Sequence, residues 1–588
     1  MFKLIMKNLN KKQYLAIFFI LFFIVIQVFL ELKIPDYMRE ITTMLMTEGN
    51  MIGSILLSGG KMLACAIVSA LSAVATGYLI ARISAGFSQK VRSRLFSKVQ
   101  SFSMNEIKGF STASLITRTT NDINQMQMFV SMGMSALIKA PIMAIWAIIK
   151  ISGKSYQWST ATAIAVVVLV IGVLLIMLSV IPRFKKMQTL TDNVNRITRE
   201  NLTGLRVVKA YNAEEYQQNK FEHANAELTN TNLTAHRYLA MINPMITAIM
   251  NFLPLSIYWI GAYLINSASA VDKLVIFSDM VVFSSYAVQI VMSFMLLVMV
   301  FIMLPRASVS AKRVNEVLNA QSSIQDGEGV TVADEDKGKI AFKNVSFKYQ
   351  DADEYVLEDI NFECKKGDVI AFIGSTGSGK STLINLVPRF YDVTEGEVLV
   401  DGHNVKDYEL SDLRKRIGYV SQRAVLFTGS VLSNVAMEGG EEKPDETEVN
   451  KAIDVSQSSE FVHKMDQGIN SHISQGGKNV SGGQKQRLSI ARAIAKNPEI
   501  LIFDDSFSAL DYRTDKAVRS ALNKEFKNTT ILIVAQRIGT IKDADEIIVL
   551  DEGKVVGKGK HEALLKNCSV YKEIALSQLS EEELKDAR

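Results

Sequence analysis

The stretch that decides the fold of the second half of the chain reads VIAFIGSTGSGKS, from Val369 to Ser381. Its apolar, β-branched first part predicts a buried strand, and the residues after Ser381 predict a helix. Between the two, the spacing from Gly374 to Lys380 fits the phosphate-loop pattern. Glycines in such a loop let backbone N–H groups turn towards phosphate oxygens at the start of a helix. The stretch therefore predicts a phosphate-binding site.

A second apolar run, Ile500–Phe503, ends at an aspartate, Asp504. A carboxylate at the carboxyl end of a parallel strand lies where α/β sheets bind their ligands. Oxygen ligands suit Mg²⁺, so Asp504 and the Ser381 hydroxyl are predicted to hold it beside the phosphates. Similar β-branched runs, such as Thr530–Val534, alternate with helical segments after Ile340. This alternation predicts an α/β domain.

The first half of the chain is predicted to cross a membrane six times. Its apolar runs are long enough to span a hydrocarbon core of about 30 Å as helices. They lie near Tyr14–Leu32, Leu56–Ile80, Ser135–Ile149, Thr160–Ile181, Ile242–Ile265 and Val281–Leu304. The long polar connections at 82–133 and 183–241 are predicted to be helices that project into the cytosol, since structureless loops of that length are unusual.

Basic residues set the predicted orientation. Lys3, Lys7, Lys11 and Lys12 precede the first run, and a further basic cluster at 82–98 follows the second. Because cytoplasmic loops carry the excess of positive charge, the N-terminus and the domain after the sixth run are predicted to be cytoplasmic. The first run is too long for a signal peptide and lacks a cleavage site of small residues.

Composition excludes several classes of protein. The net charge of +5 over 588 residues is modest and is explained by membrane topology. No module of interleaved basic and aromatic residues is present, so nucleic acid is not a predicted partner. Three cysteines in separate regions form no disulfide framework and no metal-ligand spacing.

The polar stretch Gln321–Lys339 is rich in Asp, Glu, Gly and Ser and has no apolar period, which is typical of a linker. The predicted organisation is therefore multi-domain. An all-α transmembrane domain of six helices with long cytoplasmic extensions occupies residues 1–320, the linker occupies 321–339, and the α/β nucleotide-binding domain occupies 340–588.

A third motif makes the interpretation specific: residues 480–484 read VSGGQ. With the phosphate loop, this motif resembles the ATP-binding-cassette exporter superfamily, and the whole chain resembles a half-transporter of its bacterial heterodimeric multidrug-type branch. The resemblance implies ATP and Mg²⁺ as cofactors and a second half-transporter as partner. It also implies that each ATP lies between two subunits, so that Ser481 and Gly483 complete the partner's site.

The resemblance assigns further roles residue by residue. Tyr349 resembles the aromatic residue that stacks on adenine, and Gln422 resembles the glutamine that senses magnesium, which joins Ser381 and Asp504 in the implied metal set. The implied nucleotide-binding residues are Tyr349, Gly374, Ser375, Thr376, Gly377, Ser378, Gly379, Lys380, Ser381, Thr382 and Gln422.

Two departures from the family pattern predict an asymmetric machine. Asp505 stands where the family has a catalytic glutamate, and Gln536 stands where it has a switch histidine. A carboxylate one methylene shorter reaches the attacking water poorly, and an amide cannot replace imidazole in proton transfer. This site is predicted to bind MgATP and to hydrolyse it slowly. The alternative is a homodimer in which Asp505 still works, because it keeps its charge.

The cargo is inferred from the sixth run. Met292, Met295, Met299 and Met303 recur at helical spacing and share one face. Flexible, polarizable methionine suits varied apolar ligands, although a packing or lipid-facing stripe fits equally well. The interior of this run has no ionisable residue, which disfavours strongly ionic cargo.

The predicted function is ATP-driven multidrug-type export of small hydrophobic or amphipathic compounds across the cell membrane. Export of peptide or lipid, a homodimeric exporter, and a nucleotide-gated channel or regulator remain as alternatives.

Overall fold

A computed structural model describes residues 11–46, 52–152, 154–437 and 445–578. The basic residues Lys3 and Lys7 lie outside this range. The chain forms two compact units, one containing the residues up to Gln100 with Ala113–Ala320, the other containing Ser101–Thr112 with the residues from Gln321 onwards.

Where the structure describes them, the first unit and the segment Ser101–Thr112 consist of helices joined by short turns and contain no strand. The α-helices are Lys11–Met46 (α1), Ile52–Gln100 (α2), Met104–Phe110 (α3), Thr112–Thr117 (α4), Ile123–Met128 (α5), Met134–Ile151 (α6), Tyr156–Thr203 (α7), Leu205–Ala210 (α8), Glu214–Ala240 (α9), Ile242–Ser267 (α10) and Ala270–Asn319 (α11). Two single turns of π-helix, Arg118–Asp122 and Phe129–Gly133, flank α5. Neither turn was predicted from the sequence.

Six helical segments of the described residues are long and apolar enough to cross a membrane, and each predicted run lies within one of them. The prediction of an all-α, six-span domain is confirmed. The polar connections are helical as predicted, because α2 continues to Gln100 and α7 continues to Thr203. Large apolar side chains such as Phe18, Leu71 and Trp259 are exposed. Apolar surface of this extent is unsuited to water and suits contact with lipid.

Where the structure describes it, the second unit contains two larger sheets and a small antiparallel sheet of two strands. The strands are Ile340–Phe347 (β1), Leu357–Cys364 (β2), Val369–Gly374 (β3), Glu395–Val400 (β4), His403–Asn404 (β5), Ile417–Val420 (β6), Gly429–Ser430 (β7), His472–Ile473 (β8), Ile500–Asp504 (β9), Thr530–Val534 (β10), Glu546–Asp551 (β11) and Lys554–Gly559 (β12). The α-helices are Lys380–Leu386 (α12), Leu410–Lys415 (α13), Val431–Ala436 (α14), Glu446–Val455 (α15), Ser459–His463 (α16), Gly482–Ala495 (α17), Tyr512–Glu525 (α18), Ile538–Ile541 (α19), His561–Asn567 (α20) and Ser569–Gln578 (α21).

The order of the central sheet positions the site. Its strands run β12-β11-β3-β10-β9-β6, and all neighbours from β11 to β6 are parallel. Strands β3, β10, β9 and β6 therefore end side by side at one edge, where Gly374, Val534, Asp504 and Val420 are the last residues. Their interiors are fully buried, as the near-continuous apolar runs predict for a parallel sheet covered on both faces. The prediction of an α/β domain is confirmed.

The linker and helix α3 pack within the second unit. The backbone N–H groups of Gly327 and Gly329 donate to Tyr408 and Asp407. Helix α3 begins at a capping box formed by Ser103 and Glu106. Glu106 also accepts a hydrogen bond of 3.0 Å from the backbone N–H of Ser323. The linker is therefore bound along its length, although it forms neither helix nor strand.

Arg389 fixes the linker to the nucleotide-binding unit, and its loss is expected to destabilise that unit. The buried guanidinium donates to the carbonyl oxygens of Gln325 (3.0 Å) and Lys406 (3.3 Å) and pairs with Asp392 at 2.7 Å. Breaking a buried pair of this kind costs about 3 to 5 kcal/mol, so Arg389→Ala should lower the unfolding temperature of the purified chain and expose the linker to protease.

Lys415→Ala is the matched control for this prediction. Lys415 also forms an ion pair with an aspartate three residues away, but its side chain is 75% exposed. An exposed pair contributes at most about 1 kcal/mol. Equal unfolding temperatures for the two variants would contradict the role given to Arg389.

Candidate functional site

The loop between β3 and α12 is shaped by its glycines. Gly377 and Gly379 have φ values of +90° and +91°, a left-handed conformation that glycine adopts without strain. A Cβ atom at Gly374 would collide with the backbone oxygen of Leu550 on the neighbouring strand. The loop consequently needs glycine at these three positions, two for their backbone conformation and one for close approach.

Lys380 points back into this loop. Its ammonium donates to the carbonyl oxygens of Gly374 (2.9 Å) and Ser375 (2.6 Å) and to the hydroxyl of Ser378 (3.1 Å). Burial lowers the pKa of Lys380, and the nearby Asp505 and Asp504 oppose that shift. The three neutral acceptors compensate the ammonium only in part, so an arriving phosphate, which carries full charge, is a stronger acceptor for it.

The end of β9 places a carboxylate beside the start of α12. Asp504 Oδ1 accepts a hydrogen bond of 2.7 Å from the Ser381 hydroxyl. Burial raises the pKa of Asp504, and the negative charge of Asp505 raises it further. The pair offers only oxygen ligands, next to the phosphate loop, which is the donor set that Mg²⁺ prefers. These residues fit a magnesium ion.

The Asp505 carboxylate accepts hydrogen bonds from two side-chain amides, which belong to residues that follow the neighbouring strands β10 and β6. Its Oδ2 atom accepts a hydrogen bond of 2.9 Å from Gln536 Nε2 and one of 3.4 Å from Gln422 Nε2. Its backbone has a φ of +47°, and its N–H donates to the oxygen of Val534 at 3.0 Å. Burial raises the pKa of Asp505. The two residues that depart from the family pattern, Asp505 and Gln536, are thus direct partners.

An aromatic cluster lies beside α12. The Tyr349 hydroxyl is 3.0 Å from the Thr382 hydroxyl, and the Tyr349 ring meets the Tyr391 ring edge to face with centroids 5.3 Å apart. The Lys108 ammonium of α3 lies 4.9 Å from the centroid of the Tyr349 ring. Sequence reasoning missed Lys108 and Tyr391, since neither belongs to a motif and Lys108 is far from Tyr349 along the chain.

The VSGGQ motif begins helix α17 and is separate from the phosphate loop of its own chain. The Ser481 hydroxyl caps the helix by accepting a hydrogen bond from the backbone N–H of Gln484 (3.3 Å). In return, the Gln484 side-chain oxygen accepts a hydrogen bond from the backbone N–H of Ser481 (2.8 Å). Ser481 is exposed and Gly483 is half-buried. Among the described residues, neither forms a hydrogen bond with residues 374–381. The helix N-terminus is therefore available to a group from outside the chain.

Comparison with known proteins now identifies the family. Residues 17–294 match the ABC transporter transmembrane region, and residues 357–508 match the ABC transporter domain. The chain is 37% identical to an uncharacterised ABC transporter ATP-binding protein of Mycobacterium tuberculosis over 93% of each chain. The chain belongs to the ABC transporter family. With its transmembrane and ATP-binding domains fused, it is an exporter-type half-transporter and an ATP-driven translocase.

Other relatives of this ABC transporter carry different names. It is 33% identical to YfiB of Bacillus subtilis, an uncharacterised ABC transporter ATP-binding protein, over 89% of this chain and 90% of that one. It is 31% identical to the ATP-dependent lipid A-core flippase of Aliivibrio fischeri over 87% of each chain. The structure of a bacterial Atm1-family ABC exporter with ATP bound has the same fold, with a TM-score of 0.79 and 24% identity over 97% of this chain and 99% of that one.

The four methionines of the sixth span of the ABC transporter do not share one environment. Met292 lines a cavity of about 450 Å³ within the membrane unit. Met303 packs instead against Phe129, Val300 and Ala307. Met295 and Met299 do not line that cavity. The cavity and the methionine stripe therefore coincide only at Met292.

Proposed function

We propose that this chain is the slow-site half of a heterodimeric ABC exporter that moves hydrophobic or amphipathic compounds out across the cytoplasmic membrane. Residues 1–320 form the transport domain, 321–339 the linker and 340–588 the nucleotide-binding domain. The N-terminus and the nucleotide-binding domain are cytoplasmic, in keeping with the positive charge that precedes the first span.

The observation that carries the proposal is the contact between Asp505 and Gln536. A general base must place a carboxylate oxygen within hydrogen-bond reach of the attacking water. Here the Asp505 side chain is one methylene shorter than glutamate, and hydrogen bonds from Gln536 (2.9 Å) and Gln422 (3.4 Å) to its Oδ2 atom fix its orientation. The short carboxylate therefore reaches the attacking water poorly, and Gln536 offers an amide where the family pattern has an imidazole to orient the γ-phosphate. The arrangement supports nucleotide binding with slow hydrolysis.

The phosphate loop, Lys380, Ser381 and Asp504 support binding of MgATP at the same site. The Lys380 ammonium would neutralise phosphate charge, and the Ser381 hydroxyl and the Asp504 carboxylate would hold the metal, with Gln422, whose amide donates to Asp505 at 3.4 Å, as a further candidate. A bound Mg²⁺ would supply positive charge that neutralises charge developing on the phosphates. In this proposal Ser481 and Gly483 act on the ATP held by the partner, because among the described residues they form no hydrogen bond with their own phosphate loop.

Lipid export is the second candidate function. It is favoured by the relatives named lipid A-core flippase, which match this chain over most of its length. The same transport cycle serves both candidates, so they differ only in cargo.

Purification of the tagged chain from its native membrane in mild detergent tests the proposal directly. We expect a second ABC half-transporter to co-purify at equal stoichiometry and to carry the glutamate and histidine that this chain lacks. An ATP-hydrolysing dimer of this chain alone would contradict the proposal, because Asp505 and Gln536 would then suffice for catalysis.

Tyr349→Ala is expected to weaken nucleotide binding at this chain's site about tenfold, since stacking of a base on an aromatic ring contributes about 1 to 3 kcal/mol. Tyr349→Phe keeps the ring and loses only the contact with Thr382, so it should bind nearly as well as wild type. Photolabelling of each subunit by azido-ATP at increasing ATP concentration separates the two sites. Equal affinities for the alanine and phenylalanine variants would contradict adenine stacking on Tyr349.

A further inference from the structure

The cavity that contains Met292 lies between helices α1, α6 and α11 of the membrane unit and has a volume of about 450 Å³. Drug-sized ligands commonly occupy cavities of this size. One part of its lining is apolar and flexible, with Met38, Met143 and Met292. The other part is polar and includes Glu31, Lys139 and Gln289. The lining as a whole is therefore amphipathic.

The two charges of the cavity come from the first and third spans. Lys139 Nζ and Glu31 Oε1 are 3.0 Å apart, and their side chains are about one quarter exposed. Gln27 donates to the same Glu31 oxygen at 2.9 Å. Ionisable residues in membrane spans are costly and commonly mark a functional site. The interior of the sixth span has no ionisable residue, but the first and third spans supply two charges to this cavity.

The polar groups of the cavity retain unused hydrogen-bonding capacity. Both donors to Glu31 meet Oε1, and Oε2 has no hydrogen-bond partner among the described residues. The Lys139 ammonium, which has three N–H donors, makes a single hydrogen bond within the described residues. The Gln289 Oε1 atom is buried and has no partner in the described part of the chain. A buried acceptor without a partner is energetically unfavourable.

We propose that this cavity binds zwitterionic amphipaths: an ammonium group of the ligand meets Glu31 Oε2, an acidic group meets Lys139, and an apolar chain lies against Met38, Met143 and Met292. This inference names the cargo class of the proposed export function and rests on it. The ligand's two charges extend one ion pair into a network of alternating charges. Each charged group then has two neighbours of opposite charge.

Ligands of other charge fit less well. Glu31 and Lys139 together are neutral, so a ligand with a single charge would bring an uncompensated charge into a region of low dielectric constant. An uncharged apolar ligand would leave Glu31 Oε2, the free Lys139 donors and Gln289 Oε1 without partners. A zwitterion places a positive group at Glu31 Oε2 and a negative group at the free Lys139 donors, and it adds no net charge.

The chain offers a matched control on the same two helices. Lys150 of α6 pairs with Asp36 of α1 at 2.6 Å, and Asp36 also accepts a hydrogen bond of 2.6 Å from the Tyr286 hydroxyl. Neither Lys150 nor Asp36 lines the cavity. Lys150→Met therefore removes an ion pair between the same helices without changing the proposed binding groups.

The test is equilibrium binding of three radiolabelled probes that share a chain of twelve carbons. Binding is measured below the micellar concentration of each probe, on the intact exporter in lipid nanodiscs without nucleotide. The probes are dodecyldimethylglycine, which is zwitterionic, dodecyltrimethylammonium and laurate. We expect dodecyldimethylglycine to bind at least about tenfold more tightly than the other two. Glu31→Gln and Lys139→Met should each weaken its binding by about the same factor, and Lys150→Met should not.

The charge-swapped variant, Glu31→Lys with Lys139→Glu, keeps the ion pair and is expected to bind dodecyldimethylglycine again. Equal affinity for the three probes, or dodecyldimethylglycine binding that survives both single substitutions, would overturn the proposal. Nanodiscs of phosphatidylcholine and of phosphatidylglycerol distinguish lipid headgroups from free ligands. If lipid headgroups are the natural ligand, the phosphatidylcholine discs should show weaker probe binding through competition.

A separate assay keeps failure of this inference distinct from failure of the export function. ATP-driven uptake of a lipophilic dye into inverted vesicles reports export without reference to zwitterions. Uptake of dye together with equal affinity for the three probes would remove the zwitterion proposal and leave the export function. Selective probe binding without any ATP-driven uptake would contradict the proposed export function and would still support selective binding of zwitterions in the cavity.

Discussion

Ser481→Arg is expected to reduce ATP turnover by the assembled exporter about 100-fold, the effect of removing a preorganised group that stabilises the transition state. Asp505→Asn should leave turnover within about twofold, because Asp505 is held by amides and contributes little as a general base. The difference follows from geometry. Ser481 caps a helix and, within the described part of the chain, forms no hydrogen bond with its own phosphate loop. Asp505 lies near Lys380 of that loop, and its Oδ2 atom accepts from Gln536 at 2.9 Å.

Steady-state phosphate release from the purified complex measures both variants. Ser481 also caps α17, so its loss could act through helix stability alone. Ser430 is the matched control, because it caps α14 through the same reciprocal arrangement. Ser481→Ala and Ser430→Ala should each cost about 1 kcal/mol of stability, and only the first should slow turnover. Equal loss of turnover from Ser481→Arg and Asp505→Asn would remove the asymmetry.

Those parts of the fold that depend on local patterns could be predicted from the sequence. Each apolar run, such as Val281–Leu304, is long enough by itself to require a helix in a membrane, and each lies in one long helix of the structure. The strand Val369–Ile373 is fixed by its apolar residues and by the glycines that follow. The π-helical turns around α5, Arg118–Asp122 and Phe129–Gly133, have no comparable local signal in the sequence.

The candidate site likewise has a part that the sequence predicts and a part that it does not. Its residue types were read from motifs, and the convergence of β3, β10, β9 and β6 at one edge follows from the parallel order of the strands. The contact between Gln536 and Asp505 depends on side-chain conformation, which spacing along the chain does not determine. The Lys108 contact with Tyr349 and the Glu31 pair with Lys139 join residues that are distant in sequence. Only the folded chain brings them together.

If this chain's site is slow as proposed, restoring both family residues should turn it into a fast one. Asp505→Glu adds the missing methylene, but Gln536 would still donate to the new carboxylate. Gln536→His removes that amide and supplies an imidazole for the γ-phosphate. We therefore expect each single substitution to have a small effect and the double substitution to raise hydrolysis at this site about 100-fold, at the lower limit of the contribution of a positioned general base.

The measurement requires a complex in which the partner's catalytic glutamate is replaced by glutamine, so that this chain's site alone hydrolyses ATP. Phosphate release is then compared among the parent, the two single variants and the double variant, with photolabelling by azido-ATP to show that each still binds nucleotide. A double variant that binds ATP and remains as slow as the parent would mean that something other than Asp505 and Gln536 limits this site. A gain from Asp505→Glu alone as large as that of the pair would show that the Gln536 hydrogen bond does not restrain the carboxylate.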